Sequence, residues 1–174
     1  MVTFLALLPL HAVADFRLIA GESRAADGFV EIRVLPSIRL SSRAAEALVK
    51  GIPLTVNLDI RLYKETRFSW HTQVAEWQYP NRIQYHALSN QFTLTRQSGN
   101  TIEVFPTLSE TLDGIGPFRT RELIPAIAES DQPIQVRARI GLDYQSLPGP
   151  LRLMAFFFPS WQMTSEWLRW QVTD

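Results

Sequence analysis

The chain has 174 residues, with 17 basic and 17 acidic side chains and no formal net charge; this argues against a nucleic-acid partner, which needs a localised excess of positive charge. It has no cysteine, so neither a disulfide nor a lipid-modified cysteine is available, and stability must come from packing. With 46% hydrophobic residues there is material for the core of one domain.

The first fourteen residues run apolar from Val2 to Leu10 and end in Ala12-Val13-Ala14, a small-x-small cleavage pattern. They predict a secretory signal cut after Ala14, a mature domain over residues 15–174 starting at Asp15, and a periplasmic location. The first basic side chain is Arg17, so the signal is expected to lack part of its basic n-region. The competing reading of the run is a buried first strand. His11 and Asp15 interrupt it well before the roughly 18 apolar residues that a bilayer span requires, so no membrane-spanning segment is expected after signal removal.

Further along, Phe29-Val-Glu-Ile-Arg-Val-Leu35 alternates and predicts a strand burying Val30, Ile32 and Val34. Ser41 or Ser42 can cap a short helix over about 42–50, built on Ala44, Ala45, Ala47 and Leu48 and stopped by Gly51 and Pro53. The strictest alternation is Leu54 to Leu62, with Leu54, Val56, Leu58, Ile60 and Leu62 on one face. Residues 66–97 read as a long hairpin turning at Tyr79-Pro-Asn-Arg82 and followed by a strand at Phe92. Ser98-Gly-Asn100 then turns the chain into Thr101–Phe105. Thr107 caps a second helix to Gly114, with Glu110 at the capping-box position and Leu108 and Leu112 on one face. Ile134 to Leu142 repeats the strand alternation with Gln135, Arg137 and Arg139 outward. Leu151 to Phe158 is apolar on both faces and is expected to be a central strand. Pro159-Ser160-Trp161 breaks it, and Glu166 to Val172 closes the sheet with Leu168, Trp170 and Val172 pointing one way. The fold class is mainly β, an antiparallel two-layer β-sandwich with one or two short helices.

Four stretches then carry a resemblance: Ala47-Leu-Val-Lys-Gly-Ile-Pro-Leu54, Tyr85-His-Ala-Leu88, Leu147-Pro-Gly-Pro-Leu151, and Ser160-Trp161 followed by Ser165-Glu-Trp167. In order and spacing the chain resembles the bacterial envelope family catalogued as domain of unknown function 4390, also described as a proline-rich signal-peptide protein. The resemblance implies a Gram-negative periplasmic protein without an assigned activity. Genes of the family often lie beside a membrane-bound sensor kinase, which implies envelope sensing. One departure concerns Arg67-Phe-Ser-Trp-His71, where the family carries an arginine followed by a fuller aromatic cluster.

The polar residues do not assemble a motif. Ser69 and His71 share a strand face with Glu65 and Arg67, but alternate strand residues lie about 7 Å apart, too far for a nucleophile and its base to touch. There is no Gly-x-Ser-x-Gly elbow. With a turn at Pro80-Asn81, His71 and His86 would sit about 13 Å apart, too far to share a metal ion. Gly114-Ile-Gly116 is followed by Pro117, not by a helix with a lysine, so no phosphate loop is expected. No cofactor, metal or catalytic residue is assigned. A hydrolase remains as an alternative if Asp59, Glu65, Glu76 or His71 converge in a pocket.

Five tryptophans are many for this length. Most should be core, yet Trp161 in its loop and Trp167 beside Arg169 have the composition of a contact surface. Arg67, Trp70 and His71 form a second such cluster. The leading expectation is a non-catalytic binding or accessory module contacting a membrane sensor or envelope protein. A second alternative is a carrier for an apolar ligand such as a lipid, with Phe156, Phe157 and Phe158 lining a cavity between the sheets.

Overall fold

The computed structural model describes residues 15–65, 71–96, 100–124 and 133–173. The chain starts with a hairpin that sequence analysis did not predict in full. Strand β1 (Asp15–Ala26) turns back into β2 (Phe29–Arg39) through Asp27-Gly28, whose φ angles of 52° and 76° form the two-residue turn that matches strand twist. β2 buries Val30, Ile32 and Val34 as expected. Helix α1 (Ser42–Val49) is capped by the Ser41 hydroxyl, which accepts from the Ala44 amide, and ends at Gly51 with φ 89°.

Strand β3 (Leu54–Glu65) buries all five predicted aliphatic side chains. The expected hairpin turn at Tyr79-Pro-Asn-Arg82 is corrected. Strand β4 runs unbroken from His71 to His86 and pairs Pro80 with Asn57 of β3. Turn chemistry loses here for two reasons. Among the described residues, strand β5 (Gln91–Arg96) pairs as far as Arg96 opposite Asn81, so no described neighbour asks Pro80 for a ladder donor on that side. The buried Asn81 amide meets its need locally by donating to the Tyr79 carbonyl at 3.0 Å. The turn comes at Ala87–Asn90, with Asn90 at φ 52°.

β5 pairs with β6 (Thr101–Phe105); of the expected turn between them, residues 97–99 lie outside the described residues. Helix α2 (Leu108–Asp113) has the predicted Thr107 cap, accepting from Glu110 N at 3.2 Å. Strands β7 (Phe118–Leu123) and β8 (Ile134–Leu142) follow.

The predicted central strand at 151–158 is also corrected: Gly149–Phe157 is helix α3, lying outside both sheets. A short apolar run does not by itself separate a buried strand from a helix. Pro150 sits in the first helical turn, where its missing amide costs nothing, and Leu151 and Ala155, four apart, turn toward the core. Phe157 and Phe158 are exposed and do not line the space between the sheets, and the side chain of Phe156 lies outside the described residues. Strand β9 (Leu168–Gln171) ends the large sheet.

The chain folds as a mainly-β sandwich of two antiparallel sheets, one ordered β1-β2-β7 and the other β6-β5-β4-β3-β8-β9. Their inner faces share a core including Val30, Ile32 and Val34 from the small sheet and Leu58, Ile60, Ile83 and Ile140 from the large one. The sheets are stitched along one side. Ala25 N donates to Thr173 O at 2.8 Å, Thr173 N to Ser23 O at 3.1 Å, and Trp170 Nε1 to Ser23 Oγ at 2.9 Å. Gly21 makes room for that indole, because a Cβ there would stand 2.6 Å from the Trp170 ring. Among the described residues no helix is long and apolar enough to cross a membrane.

Candidate functional site

Each sheet has an outer face, and both are rich in arginine. On the large sheet, Asp59, Arg61 and Tyr63 of β3 stand level with Arg139, Arg137 and Gln135 of β8, and with Gln78, Glu76 and Gln73 of β4. Arg139 Nε donates to Asp59 Oδ2 at 3.0 Å, and Asn57 Nδ2 to Asp59 Oδ1 at 2.9 Å. Arg61 Nε donates to Glu76 Oε1 at 3.1 Å, Arg137 lies 4.1 Å over the Tyr63 ring, and Gln73 Nε2 donates to Glu76 Oε2 at 3.1 Å. Trp167 lies between two guanidiniums, with Arg61 at 4.8 Å and Arg139 at 4.6 Å from the ring centre. Partial burial works against the charge on Arg61, but its interactions with Tyr63 and Glu76 outweigh that and raise its pKa above the ordinary value. Asp59 is only 8% exposed beneath this layer. Asp59 and Glu76 are thus each ion-paired with an arginine.

The predicted site residues separate in this frame. Trp161 was expected at a contact surface and is corrected: it is 5% exposed, in the 3-10 turn Pro159–Trp161, beside a hydrogen bond of 2.8 Å from Ser41 Oγ to Ser160 O. A loop in sequence is here folded back onto the cap of α1, which turns the indole into core. Trp167 is half-buried in its arginine sandwich, and Arg169 is exposed on β9 opposite Arg137. Arg67 and Trp70 lie outside the described residues; His71 begins β4 opposite Glu65 in register, and its side chain is also outside them. His86 ends the same strand, with Nε2 3.1 Å from Thr93 Oγ1. The fifteen-residue separation puts the two histidines about 50 Å apart along the strand. Among the described residues no group of three His, Cys, Asp or Glu side chains could hold a metal ion.

The outer face of the small sheet is different. A groove of about 680 Å³ crosses its three strands between two rows of side chains. One bank is Glu22, Arg33 and Arg119, the other Arg24, Glu31 and Arg121, with Thr173 at the β1 end. Arg33 Nη1 bonds Glu22 at 2.7 Å; Arg121 reaches Glu31 only at 3.9 Å and lies 4.5 Å over the Phe29 ring. The guanidiniums of Arg24 and Arg119 have no partner among the described residues. They occupy opposite corners, about 10 Å apart across the strands and about 7 Å along them. Sequence analysis did not identify this groove. Its signal was the alternation of Phe118-Arg-Thr-Arg-Glu-Leu123, which puts both arginines on one face of an edge strand.

Behind the groove the inner face of β7 is pinned. Tyr79 donates to Glu122 Oε1 at 2.5 Å, and Thr120 Oγ1 donates to the same oxygen at 2.6 Å. Burial, followed by the Glu122 hydrogen bond, pushes the Tyr79 hydroxyl well above its ordinary pKa. A second cavity of about 640 Å³ lies where β2 runs on past β7, lined by Ile19, Leu35, Ile38 and Leu112 together with Arg39 and Asp113.

Residues 15–171 match the family model described as domain of unknown function (DUF4390). No curated protein and no solved structure matches the chain.

Proposed function

The chain belongs to the DUF4390 family, and on that premise we propose that it serves in the periplasm, after removal of residues 1–14, as a non-catalytic binding module accessory to a membrane sensor or an envelope protein. Its recognition surface is the outer face of the small sheet. The observation that carries this reading is the pair of guanidiniums, Arg24 and Arg119, that have no partner among the described residues and stand on opposite banks of one groove. In a chain of zero net charge, four arginines against two glutamates along the groove make a local positive field, which steers and selects negatively charged partners. By contrast, Arg61 and Arg139, which stack on Trp167, are occupied by their own carboxylates.

In-cell crosslinking of the tagged protein tests the proposal, comparing the wild type with the double variant Arg24→Glu/Arg119→Glu. The wild type should be recovered starting at Asp15 and joined to an envelope protein, and the variant should lose that adduct while keeping its circular dichroism spectrum. Recovery of the same adduct from both proteins would remove the groove from the proposal. Recovery with cytoplasmic proteins, starting at Met1, would overturn the compartment.

A further inference from the structure

We infer that the groove and the cavity beside it form one composite site for a single anionic amphiphile, a molecule with a phosphate head and an aliphatic chain. The inference rests on the reading of the groove as an anion site and adds what lies next to it. The two cavities are lined by neighbouring outward positions of β2. Leu35 follows Arg33 by one outward step on β2, and Ala20, opposite Leu35, is the outward neighbour of Glu22 on β1. Along β2 the lining therefore changes from guanidinium to aliphatic within about 7 Å.

The second cavity carries Arg39 and Asp113 beside its aliphatic side chains, and its volume lies within the range of small-molecule sites. Ile19 is 64% and Leu35 39% exposed at its mouth, which leaves aliphatic surface in contact with water unless something covers it. A β-bulge at Leu18/Ala20 is what turns Ile19 outward to this mouth. The head end offers Arg119 and Arg24, whose forked donors match phosphate oxygens. A purely charged ligand would leave the aliphatic mouth uncovered, and a purely apolar one would bury against unpaired guanidiniums. An anionic head on an aliphatic chain satisfies both.

Isothermal titration with dodecyl phosphate below its micelle concentration tests this, alongside inorganic phosphate and dodecyltrimethylammonium, with backbone amide shifts read by NMR. Dodecyl phosphate should bind at least about 100-fold more tightly than inorganic phosphate, since each buried methylene adds affinity. It should shift the amides of both Arg119 and Leu35. Arg24→Gln/Arg119→Gln should weaken it about tenfold or more, and Ile19→Ser about fivefold; both variants alter exposed side chains and should keep the wild-type melting temperature. Phosphate binding as tightly as dodecyl phosphate overturns the inference while leaving the groove an anion site. Equal binding of the cationic detergent overturns it, and so does binding to phospholipid vesicles with none to the monomer. If neither phosphate nor dodecyl phosphate binds, the groove reading fails as well.

Discussion

The two outer faces of the sandwich are built from the same side chains and behave differently. On the large sheet Arg61, Arg137 and Arg139 each have a carboxylate, an amide oxygen or an aromatic ring within contact distance, and an indole covers two of them, while Arg169 at the β9 edge has no such partner among the described residues. On the small sheet, among the described residues, two pairs form across the groove and the guanidiniums of Arg24 and Arg119 are left over. The difference arises from register. β3 has a partner on each side, so its charges can be answered from two directions, whereas β7 is an edge strand and answers only to β2. A surface closed by its own partners contributes to stability; a surface left open contributes little to it.

The sharpest way to break this contrast is to show that an internal residue belongs to the surface. Trp161→Ala should cost about 4 kcal/mol in urea unfolding, because the indole is core; a loss under about 1 kcal/mol would return it to the contact surface. Asp59→Ala should cost about 3 kcal/mol, since it strands Arg139 and the Asn57 amide under the covering layer. Trp167→Ala should cost about 1.5 kcal/mol from two cation–π contacts and half-buried area, and a melting temperature unchanged from wild type would mean that the face is not closed.

Tyr79→Phe should cost about 1 kcal/mol near neutral pH, and its effect should depend on alkali. In the folded chain the Tyr79 hydroxyl keeps its proton above 10.0, the value at which the unfolded chain releases it. Its contribution is therefore complete below that pH and is lost as the pH rises beyond it. Alkaline denaturation curves of the phenylalanine variant should lack this part of the decline. The smallest effect belongs to the open face: Arg24→Gln/Arg119→Gln should change stability by less than about 0.5 kcal/mol, and a larger loss would reveal partners that close it.

What could be read in the sequence follows the same division. Strands β3 and β8 were legible because a sheet with one dry face prints strict alternation, and both helix caps were legible because capping is local chemistry. Pro80 and Asn81 misled because their turn preference is weak against a long strand already paired on one side. Leu151 to Phe158 misled because an apolar run states burial and not period. Asp27-Gly28 was a plain hairpin signal, yet β1 before it, with Arg17, Glu22 and Arg24 outward and only Gly21, Ser23 and Ala25 inward after Phe16 and Leu18, carries too little aliphatic alternation to announce a strand. The groove was the least visible feature. It exists only once three strands from distant parts of the sequence are set in register, and no single one of them shows more than ordinary surface charge.

The seam where Thr173 joins Ser23 and Ala25 has a further consequence. Its partners are about 150 residues apart, so closing it removes far more chain entropy than closing any hairpin in the molecule. The same Ser23, Arg24 and Thr173 form one wall of the arginine groove. A ligand seated there would bind only the closed seam, so occupancy and the completion of the fold are thermodynamically linked, and a filled groove acts as a latch on the sandwich.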